Sequence, residues 1–255
     1  MLNKFLSNKF LFEELVARDF KKKYKRSILG MGWSIFSPLC TLLVMRVVFT
    51  QLFGRNIEHF TTYLFCGNLL FSYFSDSTTQ GMSSFTDNAH IFSKVNAPKY
   101  LFLFAKNVQC LINFFLTLIV FALFCLFDGI TFHLGWLLLL YPIVMLALFN
   151  LGVGLLLASM YAFFSDVKYL WSIFLQLLVY ASAIFYPISE FAPEIQQLFL
   201  LNPLYHFILY FRQIVLNCQV PSFELHGLIL LDVVLALSIS YFVYRKVNHQ
   251  FLYYL

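Results

Sequence analysis

Apolar runs of roughly 20 residues, the length of helix that crosses a hydrocarbon core of about 30 Å, recur six times along the chain. They cover Trp33 to Phe53, Thr61 to Gln80, Leu101 to Phe127, Gly135 to Phe163, Tyr169 to Tyr186 and Gly227 to Tyr244, and predict six transmembrane helices. The second is the least apolar. Its distal half, SYFSDSTTQGMSS, is too polar for a lipid face and predicts side chains turned toward other helices or a water-filled path.

Ahead of the first run the pattern changes. Phe5, Leu6, Phe10, Leu11, Leu15 and Val16 alternate with lysines and acids at roughly helical spacing, which predicts an amphipathic helix followed by a basic turn over residues 1–27. Such a helix lies flat on the membrane surface or packs on the ends of the bundle; both satisfy the pattern. The remaining residues, 28–255, form the membrane domain. A basic region before an apolar run also opens a secretory signal, but this run starts near Ile28, exceeds the length of a signal core and lacks a small-residue cleavage site. It is predicted to stay in the chain as the first span.

Between the fifth and sixth runs, LYHFILYFRQIVL looks like a further span. Thirteen helical residues reach only about 20 Å, however, and Pro187, Pro193 and Pro203 punctuate the region. Residues 187–217 are therefore expected to form two short re-entrant helices that dip into the outer leaflet and return. That keeps the span count even.

Composition fixes the setting. At 61% hydrophobic, 20% aromatic and 11% charged, with mean hydropathy +0.79, 255 residues carry more apolar surface than one soluble core can hide. The chain reads as an all-α integral membrane protein. Its net charge of +5 sits at the edges of apolar runs, where anionic lipid and topology account for it, so nucleic acid is not an expected partner. With the N-terminus cytoplasmic, the inside receives the cations from Lys4 to Arg26, then Lys94, Lys99 and Lys106, then Lys168, then Arg245 and Lys246. Arg55 and Arg212 fall outside. The positive-inside rule thus places both termini in the cytoplasm.

Several chemistries lack their residues. No GxxxxGK[ST] loop or GxGxxG occurs, the acids are dispersed, and the six histidines have no ligand spacing. Cys40, Cys66, Cys110, Cys125 and Cys218 form no CxxC pair and read as free thiols. No catalytic, cofactor or metal site is expected. An ion-coupled transporter would need ionisable groups near the midplane, for which only Arg46, Asp76 and Asp232 stand as candidates. Arg46 and Asp76 differ in depth by about 10 Å at helical rise, which argues against a direct pair. Arg46 itself either snorkels to the outer headgroups or faces an anionic substrate path.

The opening LVARDFKKKYKRSILGMGWSIFSPL resembles the N-terminal signature of permease subunits of ABC exporters for polysaccharides and polyol phosphates, in which an R-D pair precedes a basic Y-K-R-S-x-L-G turn and a W and a P in the first span. Arg18, Asp19, Tyr24, Lys25, Arg26, Ser27, Leu29, Gly30, Trp33 and Pro38 match that order. FTDNAHIFSKVNAPKYLF, FFSDVKYL and YPIS followed by LNPLYHFILYFR extend the resemblance along the chain. Arg46 and Ser165 depart from it, the latter standing where an arginine is usual.

The resemblance implies a homodimer paired with two separate ATP-binding subunits, which hold the ATP and Mg, and a cargo of undecaprenyl-type lipid-linked glycan (O-antigen, capsular or rhamnose-rich) or teichoic acid. It implies a bacterial cytoplasmic membrane. Arg18, Lys23, Tyr24, Lys25, Arg26 and Trp33 are then candidates to meet the lipid headgroup, although the cations serve topology equally well. Sugar rings stack on aromatic faces, which nominates Phe71, Tyr73, Phe74, Trp171, Tyr180 and Phe185, with Arg46, for a channel; lipid-facing packing is the plainer reading. Tyr186, Phe191, Tyr205 and Phe211 are candidates for an exit gate. A short cytoplasmic coupling helix over 82–99, with Asn88, Lys94, Pro98 and Lys99, would dock the ATPase; an ordinary positive-inside loop is the alternative. A drug- or lipid-efflux exporter of the same plan is the runner-up.

Overall fold

The computed structural model describes residues 9–25, 30–52, 59–92, 98–248 and 251, and among them all regular structure is helical. Helix α1 (Lys9–Tyr24) precedes a short 3-10 turn, Gly30–Gly32, and then α2 (Trp33–Leu52). After α3 (Phe60–Ser83) come a 3-10 turn at Thr86–Asn88, the single-turn α4 (Ala89–Phe92) and α5 (Tyr100–Phe127). A 3-10 segment, Leu134–Leu139, leads into α6 (Leu140–Tyr161) and α7 (Val167–Ala181); α8 (Pro193–Phe199), α9 (Pro203–Val215) and α10 (Phe223–Val247) complete the chain.

The polar second run becomes the centre of the bundle. Helix α3 packs against α5 and α6 most extensively and also touches α2, α7 and α9. Lipid would reject its Asn68, Ser77 and Thr78; all three are buried among the other helices, and the Thr78 hydroxyl donates back to the Phe74 carbonyl of its own helix at 2.7 Å. Close approach comes from small residues. A Cβ on Gly81 of α3 would stand 3.3 Å from the Gly154 Cα of α6, and a Cβ on Gly152 would stand 2.9 Å from the Ala236 carbonyl carbon of α10. Where lipid tails give helices no hydrophobic reason to associate, such backbone proximity supplies the packing.

Three helical stretches are long and apolar enough to cross a membrane among the described residues: α5, Leu134–Tyr161 and α10. The pair α8 and α9, bent by 98°, would count as a fourth if taken as one broken span. Helices α2 and α7 are apolar but shorter. Helix α7 ends at Ala181, earlier than the expected Tyr186, because the Ser182 hydroxyl returns to the Leu178 carbonyl and Ala183 turns to φ 50°.

At the ends of the bundle, two expectations change shape. Leu11, Phe12, Leu15 and Val16 of α1 pack on Phe102, Ala105 and Ile91, so this helix leans on the bundle while Phe10 stays exposed. Residues 1–8 lie outside the described set. The predicted continuous helix over 82–99 is instead the end of α3, the 3-10 turn and α4, with 93–97 outside the described residues. The Asn88 amide donates to the Ser84 carbonyl at 2.8 Å, which closes a tight turn where a helix would have continued.

Candidate functional site

A cleft of about 670 Å³ opens along one side of the bundle between α2, α3 and α5, with Val179 of α7 also in its lining. Its walls alternate two chemistries. Hydroxyl, amide and carboxylate groups come from Ser34, Ser37 and Thr41 on α2, from Asn68, Ser72, Ser75 and Asp76 on α3, and from Asn113 and Thr117 on α5. Aromatic faces come from Trp33, Phe65, Phe71, Tyr73 and Phe114.

Helical geometry explains how apolar spans build a polar wall. Positions 34, 37 and 41, position 68 followed by 72 and then by 75 and 76, three and four residues beyond 72, and positions 113 and 117 each fall on one face of their helix. That periodicity was present in the sequence. The polar stretch from Ser72 was expected to face other helices or a water-filled path, but of these polar residues only Asp76 was named, and the polar positions of α2 and α5 were passed over because those runs were read only for hydropathy. Internal bonds hold the wall: Ser34 Oγ donates to Asn113 Oδ1 at 3.4 Å, Thr41 Oγ1 to the Ser37 carbonyl at 3.0 Å, and Thr117 Oγ1 to the Asn113 carbonyl at 3.1 Å. Tyr73 is fixed by donating to Asn107 Oδ1 at 3.2 Å and by packing on Phe114, ring centroids 4.8 Å apart.

Of the channel candidates, Phe71 and Tyr73 line the cleft. Phe74 does not: it is buried between Phe149 and Trp171, with centroids 5.9 Å from each. Trp171 is half-buried against Phe74 and Phe174, Phe185 is buried, and Tyr180 is exposed beside Phe185 outside the cleft lining. Arg46 is exposed and outside the lining as well. Five residues beyond Thr41 at about 100° each, it points roughly 140° away from the cleft face of α2.

The headgroup candidates divide. Trp33 lines the cleft and is half exposed. Arg18 is engaged within the chain: its Nε donates to Asp19 Oδ1 and its Nη2 to Asn88 Oδ1, both at 2.9 Å. Lys106 reaches Asp19 Oδ2 at 3.0 Å, and Gln109 donates to the Asp19 carbonyl at 3.2 Å. The R-D pair thus ties α1 to α5 and to the turn after α3. Lys25 is exposed. Arg26 and the side chains of Lys23 and Tyr24 lie outside the described residues.

Of the coupling candidates, Asn88 is buried in that same network, and Lys94 lies outside the described residues. Pro98 is half-buried at the start of α5. Lys99 donates to the Asn248 carbonyl at 3.1 Å and stands 4.8 Å over the ring of Phe251, which is itself packed on Phe85 and Phe163. The turn between α3 and α5 is therefore held from both sides, by α1 and by the C-terminal end.

At the opposite end, Tyr186 and Phe191 are half-buried and form a chain of aromatic contacts with Phe199 and Tyr205, each centroid pair between 5.2 and 6.1 Å. Tyr205 and Phe211 are buried inside the bundle, so they pack the base of the hairpin and do not face an open path. Sequence reasoning also missed Arg212. Its guanidinium donates to the carbonyls of Ala183, Ile184 and Tyr63 at 2.9, 3.0 and 3.3 Å and covers the Tyr63 ring at 3.4 Å. A fork of five donors suits that cluster of carbonyls.

Comparison with known proteins agrees with a transport role. Residues 11–216 match the ABC-2 type transporter family. The chain is 24% identical over 249 residues to the O-antigen export system permease protein RfbA of Klebsiella pneumoniae, covering 95% of each. It is 29% identical over 218 residues to the protein of that name in Myxococcus xanthus, covering 84% of this chain and 83% of that one. The polysialic acid transport protein KpsM of Escherichia coli is 22% identical over 211 residues, 82% of each.

Proposed function

The chain belongs to the ABC-2 type transporter family, and from that premise we propose that it is the membrane permease of a polysaccharide exporter, moving lipid-linked glycan across a bacterial cytoplasmic membrane. The cleft carries this reading. Hydroxyl and amide groups exchange hydrogen bonds with sugar hydroxyls, while Trp33, Phe71 and Tyr73 offer faces to the apolar C–H surface of a pyranose. A drug path would need a more uniformly apolar wall. The relatives named for O-antigen and polysialic acid support the cargo class.

In this reading the six helices α2, α3, α5, α6, α7 and α10 cross the membrane with both termini inside, and the α8–α9 hairpin re-enters from the outer face. The internal burial of α3 supports counting it as a span despite its polar half. A second copy closes the open side of the cleft. Helices α2 and α7 flank that side with exposed apolar residues, among them Phe36, Val44, Tyr169 and Leu177. Energy comes from a separate ATPase subunit, which binds the ATP and Mg and docks near the turn between α3 and α5.

Proteoliposomes holding the chain and its ATPase partner test the proposal. ATP-dependent translocation of lipid-linked glycan is the expected result. Translocation of hydrophobic drugs with glycan ignored would favour the efflux reading and overturn this one.

A further inference from the structure

Phe251 lies past the end of α10 and is nonetheless fully buried. Its ring sits among those of Phe85, Phe163 and Tyr244, with centroids 5.4, 5.6 and 6.0 Å away. The Lys99 ammonium stands 4.8 Å over the same ring and donates to the Asn248 carbonyl at 3.1 Å. These neighbours come from separate parts of the chain. Phe85 and Lys99 flank the turn between α3 and α5, Phe163 belongs to the turn between α6 and α7, and Tyr244 is near the end of α10.

Each turn fixes its own shape. In the first, the Ser84 and Asn88 backbone N–H groups donate to the Gly81 and Phe85 carbonyls at 3.1 and 3.3 Å, and the Asn88 side chain donates to the Ser84 carbonyl at 2.8 Å. In the second, the Phe163 and Phe164 N–H groups donate to the Met160 carbonyl at 3.1 and 3.0 Å, and the Val167 N–H to the Phe164 carbonyl at 3.3 Å. Bonds inside a turn do not fix where the two turns stand relative to each other. A buried ring packed on both does, because separating them strips it of contacts on one side. The Lys99 cation adds a further hold on that ring.

We propose that Phe251 is a positioning residue for the transport cycle: its ring locks the turn between α3 and α5 to the turn between α6 and α7, so that motion imposed on the first by the ATPase subunit is carried into α6 and α7. This rests on the transport reading above. Phe251 lies outside the cleft lining, so it acts through the turns. Helix α6 packs on α3 and α10, and α7 contributes Val179 to the cleft. The lock therefore joins the end of the bundle where the ATPase docks to a helix that borders the path. The outer sides of the two turns stay open to a partner, with Asp87 and His90 exposed on one and Phe164, Ser165 and Asp166 on the other.

Two measurements on the full chain test it. Spin labels at His90→Cys on α4 and Ser165→Cys in the α6–α7 turn, both exposed, report the distance between the turns in lipid nanodiscs, with Cys40→Ser and Cys218→Ser removing the exposed native thiols. Dilution with unlabelled chain restricts the reading to distances within one copy. The distribution should be narrow with Phe251 and broad in Phe251→Ala. Phe251→Met, whose flexible side chain refills the volume, should keep it narrow. An equally narrow distribution in Phe251→Ala overturns the proposal.

In proteoliposomes with the ATPase partner, glycan moved per ATP hydrolysed should fall in Phe251→Ala by on the order of tenfold, the ordinary scale of coupling between sites, and recover in Phe251→Met. A variant that is merely short of folded protein loses transport and hydrolysis together, so an unchanged ratio overturns the coupling role. Should Phe251→Ala not fold, Phe251→Val carries both measurements with a smaller loss of volume. A parent chain that moves no glycan would overturn the transport reading and the coupling role together, with the distance still deciding whether the ring joins the turns.

Discussion

Arg212 carries a buried charge with no carboxylate among its described contacts, and its fork spans the Ala183–Ile184 corner and α3 together. A lysine keeps the charge but presents three donors from one point, so Arg212→Lys leaves at least one of those carbonyls unpaired. Breaking a buried charged contact costs on the order of 3 kcal/mol. Arg212→Lys should therefore lower the melting temperature of the purified chain by several degrees, while Arg245→Lys, exposed at the end of α10, should leave it unchanged. The sequence showed that Arg212 stands in an apolar segment and pointed to the outer side for it. What it could not show is that carbonyls freed by the end of α7 would be its partners, because that depends on Ala183 adopting a left-handed conformation. The cleft was half legible by comparison: Phe71 and Tyr73 were named for their rings and Trp33 as a headgroup candidate, and the hydroxyl positions could have been found from their three- and four-residue spacing.

Among the elements, close helix contacts give the sharpest expectations. The Cβ of Gly152→Ala would stand 2.9 Å from the Ala236 carbonyl carbon, a distance that backbone cannot accept without shifting α6 from α10. Overpacking of this kind costs about 1–3 kcal/mol, and thermal unfolding in detergent should show it; Gly227→Ala, with open space around the added carbon, should have little effect. At the other end of the bundle, Arg18→Ala and Asn88→Ala should not add, since each removes the same 2.9 Å bond between α1 and the turn after α3. A double-mutant cycle should return a coupling of about 0.5–3 kcal/mol. Zero coupling would mean that the network does not hold α1 in place. Element positions were legible wherever apolar runs and prolines marked them, including the two short helices after Pro187. The 82–99 segment was misread as one helix because polarity and charge say where a loop lies but not how Asn88 will fold back on Ser84.

At the scale of the molecule, the central claim is that glycan passes along the cleft between α2, α3 and α5, closed by a second copy. Membership of a transporter family was within reach of the N-terminal motifs; the path was not, because it is assembled from three helices that the sequence separates by tens of residues. A photo-reactive amino acid placed at Ser72, exposed in the cleft, can be compared with one at Leu231, exposed on α10 away from it. In cells making the lipid-linked glycan and carrying the ATPase partner, illumination should attach glycan to the chain labelled at Ser72 and not at Leu231. Equal capture at both positions, or capture at Leu231 alone, would contradict the cleft as the path.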